Sequence, residues 1–167
     1  VGLRDLNETS GAFGWTAIGV SVALGVFGLE IYERSNLTKA QLVFWLGQKL
    51  HPGLPLYNNG LGLVIPMRLE PEHFRRAFSH LVRGSDALRT VIEVRDGVPQ
   101  QRANDAGAYT MDVVDFSSTT APMAAFDAWA EERIQKVLEF GECLFDSALV
   151  KLADDKFVWY LNQHHVI

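Results

Sequence analysis

Phe157-Val158-Trp159-Tyr160-Leu161-Asn162-Gln163-His164-His165-Val166-Ile167 is dominated by β-branched and aromatic residues and reads as a buried strand. Consecutive strand residues point to opposite faces, so His164 and His165 cannot share an environment. One imidazole is expected to face packed side chains and the other to face away, free for chemistry; the competing reading is two ordinary polar residues at a strand end. A metal site is not expected, because no cysteine or acidic ligand stands nearby at the spacing of zinc motifs. The run stops where a loop should begin, so the chain reads as a fragment of a longer domain.

Working outward, the turn Ala153-Asp154-Asp155-Lys156 joins this run to a second apolar strand, Phe145 to Leu152. A long helix is expected from Pro122 to about Glu139, its face formed by Phe126, Trp129, Ala130, Ile134, Val137 and Leu138. Met111 to Phe116 is a short strand. Asp96-Gly97 supplies the positive φ angles of a tight turn between Leu88–Val94 and Val98–Arg102, a β-hairpin. Pro71 suits the first position of a helix with Phe74, Ala77, Phe78, Leu81 and Val82 inward, Glu72, Arg75, Arg76 and Ser79 outward, and Gly84 at its end. Leu61 to Leu69 is a strand, preceded by a loop from His51 to Gly60 with two prolines and two glycines. Thr38-Lys39-Ala40-Gln41 has the form of a capping box, starting a helix that runs from about Lys39 to Leu50. From Leu37 onward the chain is therefore an α/β domain.

Its 167 residues, 48% hydrophobic and 21% charged, suit one globular domain with a sizeable core and exclude a disordered chain, a collagen-like repeat or a coiled coil. Twenty acidic residues outnumber 15 basic ones, so a nucleic-acid partner is not expected. The single cysteine, Cys143, permits no intramolecular disulfide and no multi-cysteine zinc site, which points to a cytoplasmic protein without a structural metal. Beside Leu144 and Phe145 it reads as a buried, inert thiol. Residues 1–36 form a separate leader. Between Thr9 and Leu29 there is no charge, and five glycines are scattered among apolar residues. Its length is borderline for a membrane span and its flanking charges set no orientation, so a poorly packed or non-native leader is preferred over a membrane helix. No Gly-x-Ser-x-Gly elbow and no phosphate-binding glycine loop occurs.

Four segments, in order, resemble condensation domains of nonribosomal peptide synthetases, members of the chloramphenicol-acetyltransferase-like superfamily. Leu37-Thr38-Lys39-Ala40-Gln41 with Trp45 is similar to the opening helix motif, and Leu56-Tyr57-Asn58 to the Tyr-Asn of the next loop. Asp86-Ala87-Leu88-Arg89-Thr90 resembles Arg-His-Glu-x-Leu-Arg-Thr, with Gly84-Ser85 in place of Arg-His and Asp86 in place of Glu. His164-His165-Val166-Ile167 resembles the start of His-His-x-x-x-Asp-Gly, whose Asp-Gly falls outside the chain. Phe140-Gly141-Glu142-Cys143-Leu144-Phe145 loosely follows the family's Pro-Phe-Asp-Leu run.

The resemblance implies an α+β sandwich, with residues 37–167 as its N-terminal lobe: a mixed sheet with helices packed on it. It implies amide formation between a donor acyl or peptidyl thioester and an acceptor aminoacyl thioester, both carried on the 4'-phosphopantetheine of carrier proteins, with no cofactor bound by the chain itself. His165 matches the catalytic histidine, as proton acceptor or as the group that orients the amine. His164 is implied to support it from the opposite face. Arg89 matches an arginine that anchors the motif aspartate; the residue-based alternative is an exposed strand arginine without a partner. Tyr57 and Asn58 are implied at the mouth of the substrate tunnel, although turn chemistry explains Asn58 equally well. Trp45 and Trp129 read as core. Arg75, Arg76 and Arg83 suit either an acidic carrier protein or plain solvent. A C-terminal lobe is expected to complete the site, and this part alone is expected to be inactive. The alternatives are a non-catalytic module that docks carrier proteins and a stand-alone acyltransferase of the same superfamily.

Overall fold

In a computed structural model of the chain, which describes residues 2–5, 31–105 and 109–167, the strand Lys156–His164 (β7) is the middle member of a five-stranded sheet. Asn58–Ile65 (β2) pairs antiparallel with β7 on one side, and Phe145–Ala153 (β6) pairs antiparallel on the other. Gly2–Asp5 (β1) borders β2, and Asp112–Asp115 (β5) lies parallel to β6, giving the mixed order β1-β2-β7-β6-β5. Thr90–Arg95 (β3) and Val98–Ala103 (β4) form the separate hairpin, with Asp96 at φ 50° and Gly97 at φ 78°, the left-handed pair that a two-residue turn requires.

One helix covers each face of the sheet. Pro122–Arg133 (α3) sets Phe126 and Ala130 against Ala148, Val150, Leu152, Val158 and Tyr160. Pro71–Gly84 (α2) sets Phe78 and Val82 against Phe145, Leu149 and Phe157. At the end of β7, Lys39–Leu50 (α1) contributes Leu42 to a third cluster with Leu37, Ile92, Leu138, Phe140, Leu144 and Val166.

The α+β layering, the mixed sheet and the capped start of α1 follow the sequence expectations, and several details differ for identifiable reasons. Strand β2 begins at Asn58 rather than Leu61, because Asn58 already opposes His164, and Pro66, which has no N–H, follows its end. On α2 the packed stripe is 74/78/82, leaning toward Arg75 and Ser79. Arg75 Nε donates to the Met111 carbonyl at 2.9 Å and Ser79 Oγ to that of Tyr109 at 3.2 Å, so these two expected outward residues tie the helix down. Leu81, expected inward, is 53% exposed on the other flank. Helix α3 stops at Arg133, not near Glu139. The carbonyls of Ile134 and Lys136, which a longer helix would use internally, instead accept from Asn58 Nδ2 at 2.6 and 2.8 Å.

The uncharged segment from Thr9 to Leu29 lies outside the described residues; among those that are described, no helix is long and apolar enough to cross a membrane. Other parts of the expected leader join the fold: β1 pairs with β2, Ser35 Oγ donates to Pro99 O at 2.7 Å, and Asn36 Nδ2 donates to Gln101 O at 2.8 Å.

The capping box is reciprocal: Thr38 Oγ1 accepts from Gln41 N at 3.2 Å, and Gln41 Oε1 accepts from Thr38 N at 2.9 Å. Gln41 Nε2 also donates to Gln101 Oε1 at 2.9 Å and to Val166 O at 3.0 Å, joining α1 to the hairpin and to the turn after the histidine pair. Thermal denaturation should show Thr38→Ala destabilised by about 1 kcal/mol, the usual cost of an N-cap. Gln41→Ala should be the more destabilised of the two, since it loses the cap and both long-range bonds.

Candidate active site

Pairing on both sides leaves β7 no freedom of register, and the strand ends with His164 fully buried and His165 exposed. The His164 backbone N–H donates to Leu144 O at 2.9 Å, and that of His165 to Tyr57 O at 2.8 Å, so the two residues are anchored to different neighbours. His164 Nδ1 accepts from the Val166 N–H at 3.1 Å. Its neutral ring therefore carries the proton on Nε2. The edges of Phe140 and Tyr57 surround it, with centroids 5.2 and 5.8 Å away. Burial, reinforced by His165 next door, pushes its pKa down to about 4.

The His165 imidazole lies outside this enclosure, stacked on Phe44 at 5.2 Å between centroids and 19° between planes. Tyr57 meets Phe44 edge-on at 5.1 Å. Tyr57 in turn rests on α1 only because residue 47 is glycine: a Cβ there would stand 2.0 Å from the Tyr57 hydroxyl oxygen. Gln48 Nε2 holds the preceding loop through the carbonyls of His51 at 3.1 Å and Leu54 at 2.7 Å. One side of α1, carrying Gln41, Phe44, Gly47 and Gln48, thus builds the floor and flank of the histidine pair. Sequence reading singled out only Gln41 among these four, and for its cap. The 41/44/48 spacing on one helical face was the available signal.

The structure brings together His164, His165, Tyr57 and Asn58. Asn58 is the first residue of β2, not a turn residue, and its amide binds the two carbonyls beyond α3. Arg89 is held by partners of its own. It lies in the 3-10 turn Ala87–Arg89, not on the strand, and is neither fully exposed nor unpartnered: Nη2 donates to Asp86 Oδ1 at 2.5 Å and Nη1 to Asn104 O at 2.8 Å. It lines a separate hollow of about 230 Å³ with Tyr109, Glu142 and Cys143. Cys143 is exposed rather than buried, because the buried stretch starts one residue later at Leu144, although partial desolvation still raises its thiol pKa. Trp45 and Trp129 are partly buried and pack against the core. Arg83 donates to Ser79 O on its own helix and Arg76 is exposed. Among the described residues no three His, Cys, Asp or Glu side chains are grouped to hold a metal ion.

An exposed imidazole backed by a buried neutral one can take up or release a proton at the end of a rigid strand. Residues 32–167 match the family model of the condensation domain. The chain belongs to that family. This condensation domain is 30% identical over 133 residues to the dimodular nonribosomal peptide synthase of Bacillus subtilis (strain 168), covering 78% of the chain and 6% of the synthase. It is 27% identical over 139 residues to an isonitrile lipopeptide synthase of Streptomyces coeruleorubidus, covering 82% and 10%. Among solved structures, the starter condensation domain of rhizomide synthetase, in a variant form complexed with C8-CoA and Leu-SNAC, is similar with a TM-score of 0.73 and 32% identity over 78% of this chain and 30% of that one. The condensation domain described here thus spans about a third of that solved chain and a tenth or less of the two synthases.

Because the folded-state pKa of His164 is depressed from 6.5, the unfolded chain binds its proton first as pH falls. Stability associated with this residue is complete above about pH 6.5 and is lost between there and about pH 4, amounting to about 3 kcal/mol. Thermal denaturation against pH should show that slope in the condensation domain, and His164→Asn should flatten it. Gly47→Ala should displace the Tyr57 ring and cost about 1–3 kcal/mol, with loss of the Tyr57–Phe44 contact visible in aromatic NMR shifts.

Proposed function

We propose that this condensation domain, completed by a second lobe, forms an amide bond between a donor acyl or peptidyl thioester and the amine of an acceptor aminoacyl thioester, each carried on the 4'-phosphopantetheine arm of a carrier protein. Residues 37–167 are the N-terminal lobe in this reading. The observation that carries it is the opposed placement of the two histidines, one sealed and neutral, the other exposed at the strand end. Membership of the family and similarity to nonribosomal peptide synthases support the reaction class. The complex of the rhizomide starter domain with C8-CoA and Leu-SNAC supports thioester substrates.

The chemistry asks for a proton acceptor beside the attacking nitrogen. The amine attacks the thioester carbonyl carbon, the C–N bond forms, the C–S bond breaks, and the pantetheine thiol leaves. His165 takes the proton that the nitrogen sheds and returns it to the departing sulfur. His164, unable to protonate near neutral pH, holds the backbone from behind, and Phe44 restricts the swing of the reacting ring. Tyr57 lines the approach to His165. Arg89, held by Asp86 and Asn104, acts on the scaffold rather than at the reacting atoms.

In the complete synthetase, His165→Ala should slow amide formation by about 100-fold or more, the range of a positioned acid-base group, with thioester loading of both carriers unchanged. His165→Gln separates the two roles open to this residue: glutamine can orient an amine but cannot take its proton, so it should remain as slow as alanine. Full condensation activity in His165→Ala, measured by mass spectrometry of the carrier-bound product, would sink the assignment.

A further inference from the structure

His165 and Val166 are the central pair of a tight turn that follows β7, closed by the Ile167 N–H donating to His164 O at 3.2 Å. A side chain on such a turn is aimed by the peptides before and after it. The peptide before His165 belongs to the sheet, its N–H donating to Tyr57 O at 2.8 Å. The residue after it, Val166, is held at three points. Its side chain is buried among Leu37, Leu42, Phe140 and Leu144, its N–H donates to His164 Nδ1 at 3.1 Å, and its carbonyl accepts from Gln41 Nε2 at 3.0 Å.

Gln41 is built to hold that carbonyl in place rather than to follow it. Its Oε1 accepts from the Thr38 N–H at 2.9 Å, and Nε2 also donates to Gln101 Oε1 at 2.9 Å, so both amide hydrogens and the amide oxygen are engaged. Gln101 is fixed in turn. Its Nε2 donates to Asn36 O at 3.2 Å, and its backbone N–H and carbonyl each bond the Asn36 side chain at 2.8 Å. A series of amides therefore runs from Asn36, ahead of α1, through Gln101 on the β3–β4 hairpin to Gln41 and the peptide after His165. One helical turn beyond Gln41, Phe44 stacks on the His165 ring, 5.2 Å between centroids. The ring and the peptide that follows it are gripped from one face of one helix.

We propose that Gln41 is a positioning residue for His165, holding the Val166 carbonyl so that the imidazole keeps its direction against Phe44. The proposal rests on His165 as the proton acceptor. It gives Gln41 a duty that capping does not explain: the cap uses Oε1, which a glutamate also supplies, whereas the bond to Val166 needs the amide hydrogens. Gln41→Glu separates the two. Glutamate keeps the capping oxygen and adds a negative charge to the first turn of α1, where the helix dipole favours one, but it sets a carboxylate oxygen against the Val166 carbonyl. Rotation of the Gln101 amide repairs the contact with the hairpin and leaves the contact with Val166 broken.

The test is made in the complete synthetase, with amide formation between loaded carriers followed in a single turnover. Gln41→Glu should slow it about tenfold, the scale of a modest misplacement of a reacting group. In a His165→Ala background the same substitution should cost less than about twofold, because a residue that acts through His165 has nothing left to position. Hydrogen exchange read by mass spectrometry should show the peptide containing residues 164–167 exchanging about fivefold faster or more in Gln41→Glu, the effect of one lost hydrogen bond, with the peptide covering Lys39–Leu50 unchanged. Equal slowing in both backgrounds, a parent-like rate in Gln41→Glu, or unchanged exchange at the turn would overturn the proposal. Full activity in His165→Ala is a separate result: it overturns the assignment of His165 itself, and this proposal with it.

Discussion

The pairing of β7 with β2 on one side and β6 on the other is the constraint on which the histidine site depends. A strand bonded along both edges can neither slide nor rotate by one residue without moving every side chain to the opposite face. The same register that seals Val158 and Tyr160 under α3 places His164 in the interior and delivers His165 to the surface. The different surroundings of two adjacent, chemically identical residues follow from sheet geometry: His164 is desolvated, which lowers its pKa, and accepts an N–H on Nδ1, while His165 keeps its contact with solvent.

Around that pair the domain divides its work between rigid packing and polar ties. Helix α1 supplies an aromatic wall through Phe44 and a glycine seat for Tyr57, while Gln41 fastens the turn beyond His165 by its carbonyl at Val166. On the far side of the sheet, Ser147 accepts from Trp159 Nε1 at 2.9 Å and donates to Tyr160 O at 3.0 Å, a buried polar link that is satisfied within the protein. Interiors tolerate polar groups when each has a partner.

Much of the fold was legible because local chemistry and tertiary packing agree. The reciprocal Thr38–Gln41 cap, the proline start of α2, the Asp96-Gly97 turn and the apolar runs of β6 and β7 all encode their elements in neighbouring residues. What escaped sequence reading involves partners far along the chain. The end of α3 is set by an asparagine 76 residues away that captures the Ile134 carbonyl. The buried stripe of α2 is rotated by bonds to the Tyr109–Met111 segment, and Arg89 belongs to a local turn with Asp86 and Asn104 rather than to a bare strand.

From Leu37 onward, neighbouring residues were enough to read the order of the main helices and strands and the rule that two consecutive histidines at the end of a strand face opposite ways, because periodicity, caps and turns act over a few residues, and the motifs carried the family resemblance. Which histidine is sealed, what each ring touches, and which apolar or polar residues of a helix meet the sheet were settled by long-range packing. Those outcomes depend on strand order, on register and on the absence of side chains at Gly47 and Gly62, where Tyr57 and Phe126 from elsewhere in the chain fill the space. No window of sequence contains that information, since the residues that decide it meet only when the chain is folded.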